Sequence, residues 1–600
     1  MFDPSKPPAT LAEMAHRSFT THADKPFLGT KIEGSYKYAT YGEICARVRN
    51  VAGGMISLGL GREDRAAILA ENRPEWAIAD LACQMLGVIS VPLFSTLPPV
   101  QVQGILLDCG ASIVYVSSES QLKKIEAIRD NLPDLKHVVV MDPVERDGSD
   151  IIQYADLEQR GERNHLQHAT EYESIWPAGA ADDVATIIYT SGTTGEAKGV
   201  MLTQRNIISN LEAIIAAIKL SNEDLFLSFL PLAHVYERTA GYYLPVRLGS
   251  AIAYCESLFT VDKNMAEVSP TIMFCVPRLY ESMREKLFSA ASSLPEGQRE
   301  KYNDALALAQ KAGAARGNLP GAPGLGMVEQ VKYKMYDMAV YSKIRAKFGG
   351  RMRAFVSGGA PIAPELGALF LGLGLEVLEG YGLTETSPVI AVNRPGEVQL
   401  GTVGPIIGSV EAKIAEDGEI MVKGASVMKG YWNKPEATAE ALTPDRWFHT
   451  GDIGTLENGI LKITDRKKDL LVLANGKKVA PAPIELKLGE SRYIAQVVLL
   501  GDKQKAVSAL IVPRMETLRE YAAAQKIEAA DDATLLADPA IKSLYRSEID
   551  AQTKDLADFE RVRQFTLLLE PFSVEKGELT PTLKIKRRVI ADHYAAPGEA

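Results

Sequence analysis

The sequence predicts an α/β protein: a large N-terminal domain of doubly wound sheets with a β subdomain, then a small mobile α+β C-terminal domain. Three observations carry this. Short apolar runs alternate with helical patterns from Tyr41 to about residue 400. Beyond Gly401 the texture changes to short strands with turn signals at Asp417-Gly418 and Asn458-Gly459. A chain of 600 residues also exceeds what one hydrophobic core serves.

A helical period from Tyr41 to Leu58 precedes the run RAAILA, a helix from Pro74, the run ISVPLF, a helix near Val100 and SIVYV. KHVVVM, ATIIYT, LFLSFL, TIMFCV and RAFVS continue the alternation, which implies βαβ units and parallel sheets. Ligands of such sheets sit beyond the carboxyl ends of the strands. Residues 277–348 are helix-rich, interrupted by NLPGAPGLG, and read as an insertion on the surface of the larger domain. The expected division is 1–467, with the β subdomain at about 401–467, and 468–600, with a helix from Pro483 and the strands IAQVVLL and VSALIVP. The cluster from Asp465 to Asp469 suits a linker, and equally a solvated turn.

Composition narrows the function. Sixty-six basic against 76 acidic residues give a net charge of -10, opposite in sign to what a phosphate backbone requires, so nucleic acid is not an expected partner. The five cysteines are scattered without a CxxC pair and read as buried thiols of a reducing compartment. No secretory pattern or spanning apolar run is visible, so a cytoplasmic protein is expected, with peripheral membrane contact and oligomeric state left open.

Three segments carry chemistry. YTSGTTGEAKGV, residues 189–200, comes after the run ATIIYT. Its glycines and hydroxyls let backbone N–H groups wrap phosphate oxygens, and Lys198 adds positive charge. Walker spacing is absent, because Glu196 and Ala197 separate Gly195 from Lys198 and Gly199 comes after the lysine; a flexible surface loop has the same composition. GYGLTETSP, residues 380–388, is expected to follow a strand EVLE and lead into a helical run. There Tyr381 could stack on a base and Glu385 could hold Mg²⁺, although Thr384 as a helix N-cap explains the pattern as well. SGGAP, residues 357–361, comes after another strand, and its glycines allow a planar ring to lie against the backbone.

Together with HTGDIG, ITDRKKD and TPTLKIKRR, these segments resemble, in order and over nearly the whole chain, the acyl-adenylate-forming superfamily of AMP-binding enzymes. FLPLAHVYER and VPRLYE are similar to its long-chain fatty acyl-CoA synthetases. The resemblance implies that Thr190, Ser191, Gly192, Thr193, Thr194, Gly195 and Lys198 hold the ATP triphosphate, with Thr190 and Glu385 near Mg²⁺. It places Tyr381, Gly382 and Thr384 with the Gly358-Gly359-Ala360 backbone around the nucleotide, Asp452 on ribose, and Arg466 on ribose or phosphate. Asp452 could otherwise be a turn aspartate and Arg466 an exposed base. Lys468 falls at the family's hinge. Lys584 matches its C-terminal catalytic lysine, although Leu583 replaces the usual glycine and Lys586 competes for the role. His234 falls beside the acyl carboxylate, and Tyr236 at the gate of the acyl tunnel.

The implied reaction is ATP-dependent formation of acyl-AMP from a long-chain fatty acid, then transfer to coenzyme A, with charge stabilisation rather than a covalent enzyme intermediate. The alternatives are a fatty acyl-AMP ligase serving a carrier protein and a synthetase for medium-chain or aryl acids. A segment inserted near the hinge, expected of the former, finds no room between Asp452 and Asp469.

Overall fold

In the computed structural model the described residues are 6–145, 151–164, 170, 172–190, 197–580 and 584–594. The chain folds into two compact units. One comprises Met1–Lys413, Met421–His449 and Asn458–Leu461; the other comprises Ile414–Ile420, Thr450–Glu457 and Lys462–Ala600.

The first unit holds two eight-stranded sheets. One runs in the order Gly430–Tyr431, Lys198–Thr203, Val184–Thr190, Ile89–Leu93, Arg65–Leu69, Ile113–Val116, His137–Val140, Ile151–Gln153. Its strands from Val184–Thr190 to Ile151–Gln153 pair in parallel. Buried on both sides, they bear near-continuous apolar runs, as Ile113–Val116 shows. The other runs Val389–Val392, Glu376–Gly382, Ala354–Ser357, Ile272–Cys275, Leu225–Ser228, Ala251–Tyr254, Pro26–Ile32, Ser35–Thr40. Its edge hairpin, Pro26–Ile32 with Ser35–Thr40, escaped the sequence reading because Ser35–Thr40 never becomes fully buried and so lacks an apolar alternation.

Tyr41–Ser57 is a helix, as its period predicts. Thr40 caps it with a reciprocal Thr40–Glu43 capping box. The helix Pro74–Leu86 begins with proline at its first position and ends on Gly87 in the left-handed region. The insertion forms the helices Pro277–Ser292 and Glu296–Arg316, then a rod from Met327 to Lys347 whose middle turn, Asp337–Tyr341, widens to π geometry. Beyond Gly401 the expected turns are present: Asn458 and Gly459 both have positive φ, as a tight two-residue turn demands, and Gly418 has it as the last residue of a three-residue turn closed by its N–H to the Ala415 carbonyl.

In the second unit, strands Ile494–Leu500, Val507–Pro513 and Val562–Leu567 form a three-stranded sheet. A core including Leu488, Val507, Ile511, Tyr545 and Ile549 fills the space between this sheet and helices Pro481–Gly489 and Pro539–Thr553. The first helix starts two residues before the expected Pro483, because Pro481 already fits its first turn.

Candidate functional site

In the first unit the site is built at a strand junction. Val184–Thr190 pairs antiparallel with Lys198–Thr203, and the register sets Thr190 opposite Lys198. Ser191, Gly192, Thr193, Thr194 and Gly195 lie outside the described residues. Lys198 therefore starts a strand rather than floating in a loop. On its other edge that strand pairs antiparallel with Gly430–Tyr431, Tyr431 opposite Val200, and the Trp432 N–H donates to the Gly199 carbonyl at 2.7 Å. This register carries Tyr431 to Lys198, whose ammonium lies 5.1 Å from the ring centre, within cation–π range.

Tyr431 also reaches Glu385. Its hydroxyl donates to Glu385 Oε1 at 2.9 Å, and the Met428 N–H donates to the Glu385 carbonyl at 2.8 Å. Burial, followed by the Glu385 carboxylate, pushes the phenol pKa far above its ordinary value, so the hydroxyl stays a donor. Lys198, Tyr431 and Glu385 thus form one linked cluster from three distant stretches of sequence.

The GYGLTETSP segment corrects the sequence expectation. The strand does not end at Glu379 but continues to Gly382, pairing antiparallel with Val389–Val392, Tyr381 opposite Ala391. No helical run comes next; Thr384–Thr386 make one 3₁₀ turn, and Thr384 is not an N-cap. One cause is local and one distant: side-chain bonds from Thr386 Oγ1 to the Leu383 and Pro388 carbonyls close the turn, and Asn210 holds the returning strand through both Val389 N–H and C=O. Gly382 is required there, since a Cβ would stand 1.9 Å from the Pro388 carbonyl oxygen.

SGGAP comes after the strand Ala354–Ser357 as expected, and Gly359 has φ +87°, a conformation few other residues hold. Beneath the loop, the Tyr236 hydroxyl donates to the Val356 carbonyl at 2.9 Å, and a Cβ on Gly358 would come 3.1 Å from the Tyr236 ring. Glu379 supports it from the neighbouring strand by accepting from the Ile362 N–H at 3.3 Å. Burial raises the Glu379 pKa to about 7. His234 accepts from the Tyr236 N–H on Nδ1 at 3.1 Å, which leaves the neutral imidazole's hydrogen on Nε2. It precedes the buried π-helical turn Glu237–Tyr243.

The second unit carries its own cluster. Asp452 sits 3 % exposed on a long strand, Phe448–Glu457, so it is not a turn aspartate. Arg466 Nε donates to Asp452 Oδ1 at 3.0 Å, which makes the two a pair rather than separate groups. Glu419 accepts from the Gly451 N–H at 2.9 Å and from Lys467 Nζ at 3.1 Å, bracing the Gly451-Asp452 segment. Lys468 lies in the turn after the strand Ile460–Arg466. Lys584 sits in a short antiparallel pairing: it exchanges backbone and hydroxyl bonds with Thr580, and Leu579 bridges Ile585. Arg587 clamps the start of the last helix, Arg587–His593, with Nη2 donating to Glu485 Oε2 at 2.9 Å and Nη1 to the Leu499 carbonyl at 2.7 Å.

Sequence reasoning missed Tyr431, Glu379 and Arg587. The one available signal was KGYW, residues 429–432, an aromatic pair behind a glycine in a strand-like stretch.

Two mainly parallel sheets with a lysine–tyrosine–glutamate cluster at the start of a strand make this an α/β protein with a charged site beside a glycine- and threonine-rich segment. The chain belongs to the AMP-binding enzyme family: the family's model matches residues 15–432, and that of its C-terminal domain matches residues 468–596. It is 34 % identical over 580 residues to the long-chain-fatty-acid–CoA ligase FadD15 of Mycobacterium tuberculosis, covering 95 % of this chain and 93 % of that one. It is 32 % identical over 621 residues to the peroxisomal long chain acyl-CoA synthetase 6 of Arabidopsis thaliana, covering 98 % and 85 %. In fold it is similar to the adenylation domain of a carboxylate reductase from Mycobacterium chelonae, with a TM-score of 0.73, 23 % identity, and coverage of 99 % and 90 %. No helix among the described residues is long and apolar enough to cross a membrane.

Proposed function

We propose that this enzyme activates a long-chain fatty acid with ATP to acyl-AMP and passes the acyl group to coenzyme A, releasing pyrophosphate and then AMP. The carrying observation is the Lys198–Tyr431–Glu385 cluster at the mouth of a glycine- and threonine-rich segment, in a chain whose relatives are named for this substrate class.

The attacking group is a weak nucleophile, a fatty carboxylate, and pyrophosphate leaves from the α-phosphorus, so accumulating negative charge is the main obstacle. Lys198 and the residues from Thr190 to Gly195 bind the triphosphate. Tyr381, Gly382 and Thr384 flank the nucleotide with Gly358, Gly359 and Ala360. His234 orients the incoming carboxylate through its Nε2 hydrogen. Asp452 accepts from the ribose hydroxyls with Arg466 at its side, and Lys584 adds positive charge in the adenylation step.

The residues fit Mg²⁺: one carboxylate, Glu385, and one hydroxyl, Thr190, are the sparse protein donors that this ion combines with phosphate oxygens and water. When bound, it would neutralise charge on the leaving pyrophosphate. Tyr431 fixes the Glu385 carboxylate in place and leaves its other oxygen for that role.

The domains 1–467 and 468–600 turn about Lys468 between the two half-reactions, and the enzyme works in the cytoplasm. AMP release with palmitate, with and without coenzyme A, against short-chain, aromatic and amino acids tests the reading. Strong coenzyme A dependence with palmitate supports it. Stable acyl-AMP that ignores coenzyme A would point to a carrier-protein ligase, and a preference for aryl or medium-chain acids would move the substrate class.

A further inference from the structure

The helical rod from Met327 to Lys347 shows two contrasting faces. Its inner face is pinned by tyrosines: Tyr333 donates to the Gly372 carbonyl at 2.5 Å and Tyr341 to the Ala305 carbonyl at 2.7 Å. Its outer face is apolar. Met327, Val328, Val331, Met335 and Met338 are 61 % to 85 % exposed. At 3.6 residues per turn the first four fall within an arc of about 100°. An isolated exposed methionine needs no explanation, but a stripe of five large apolar residues on one rigid helix does.

Charge identifies what covers it. The segment from Met327 to Lys347 carries five basic residues against two acidic, net +3, in a chain of net charge -10. Lys334 flanks one edge of the stripe and is exposed; Lys332 on the other edge is paired with Asp304 at 2.6 Å, and Lys343 and Lys347 lie further along, exposed as well. An apolar stripe edged with lysines is the pattern of a helix lying in a lipid interface: methionine and valine enter the acyl boundary while the lysine stems reach up to anionic headgroups. A two-fold contact between copies would instead bring like-charged lysines together. A second feature leads to the same region. The 3₁₀ turn holding Leu258 and Phe259, 67 % and 99 % exposed, runs directly into the helix Val261–Val268, which packs against Ser342–Lys347.

We infer that the outer face of residues 327–347 docks the enzyme on anionic bilayers. Long-chain acids partition into such bilayers, so docking places the enzyme at its substrate's reservoir. That consequence rests on the function proposed above; the docking itself does not.

The test is flotation of the full chain with phosphatidylcholine vesicles, with and without phosphatidylglycerol. The wild type should float with the anionic vesicles and remain largely unbound with the neutral ones, and added salt should release it. V331E/M335E should lower the partition by about tenfold or more, and K334E/K343E should do so while abolishing the anionic preference. Both variants should keep wild-type thioester formation when the acid is supplied on albumin, which separates loss of docking from misfolding and from failure of the enzymatic reading. Unchanged flotation of V331E/M335E overturns the inference. So does equal binding to both vesicle types, or a dimer that this variant dissociates in the absence of any vesicle binding.

Discussion

The Tyr431 hydroxyl donates to Glu385 at 2.9 Å, and the same ring receives the Lys198 ammonium at 5.1 Å. One side chain thus fixes both the carboxylate assigned to Mg²⁺ and the cation assigned to phosphate. Tyr431→Phe keeps the ring and removes only the donor. A hydrogen bond to a charged acceptor contributes about 1.5–3 kcal/mol, so kcat/KM for adenylation should fall roughly ten- to hundred-fold, with a raised Mg²⁺ requirement. Tyr431→Ala should further raise the KM for ATP. Pyrophosphate exchange titrated with Mg²⁺ reads this; a phenylalanine variant with an unchanged Mg²⁺ profile removes Tyr431 from the site.

Lys584 is bonded to Thr580 through its N–H and its carbonyl, and Lys586 is two residues further along, its N–H bonded to the Glu578 carbonyl at 2.8 Å. Lys584→Ala should suppress acid-dependent ATP–pyrophosphate exchange by about a hundredfold or more, the scale of one oriented charge-stabilising group. It should leave thioester formation from supplied acyl-AMP intact. Lys586→Ala should leave both steps near wild type. The reverse result would transfer the role to Lys586.

Lys468 lies in a turn in which the Asp469 and Leu470 N–H groups both return to the Arg466 carbonyl. Proline restricts φ to about -65°. With the hinge proposed above, Lys468→Pro should therefore slow thioester formation far more than adenylation. Single-turnover rates of the two steps measure it, and equal losses would argue against a hinge at this residue.

The parallel strands were legible because burial on both faces writes itself as apolar runs such as IVYV, and helix starts were legible where Thr40 supplied a cap or Pro74 the first helical residue. The course of the chain after Tyr381 was not. Gly380 to Pro388 reads as loop and helix in isolation; it becomes a strand and a 3₁₀ turn because Thr386 closes the turn and Asn210, far away in sequence, bonds Val389 on the strand that returns beside it. Tyr431 was hidden for a similar reason: nothing within MKGYWNK reports that its strand will pair beside Lys198. Family motifs identify residues that touch substrate, whereas residues that position them are written in register, which emerges only on folding.

Glu379 offers a pH-dependent observable. Its carboxyl, buried beneath the SGGAP loop, has its pKa raised by desolvation to about 7, against an ordinary value of 4.5. The folded state therefore binds the proton more tightly than the unfolded chain. The stabilisation from this group is fully present below pH 4.5 and is lost as pH rises to about 7, in total about 3 kcal/mol. Glu379→Gln, a permanent neutral mimic, should have a flatter dependence and gain on the wild type between pH 5 and pH 8. Urea midpoints at the two pH values test the sign; a wild type that gains more than the variant contradicts it.

Arg238 and Asp80 form an ion pair at 1 % and 0 % side-chain exposure. Arg238 also donates to Thr186 Oγ1 at 2.5 Å and to Tyr243 Oη at 3.0 Å, and Tyr243 donates to the second Asp80 oxygen at 2.7 Å. Thr186 lies on the strand that ends at Thr190, so this network ties the strand to the helix Pro74–Leu86 and to the π-helical turn after His234. Breaking one partner strands the other charge in the interior, at a cost of about 3–5 kcal/mol, whereas removing both leaves no buried charge behind. Arg238→Met and Asp80→Ala should each destabilise strongly, and the double variant should be less destabilised than the sum of the two. Urea unfolding of the four proteins gives the coupling directly. Additive losses would mean that the two charges do not depend on each other.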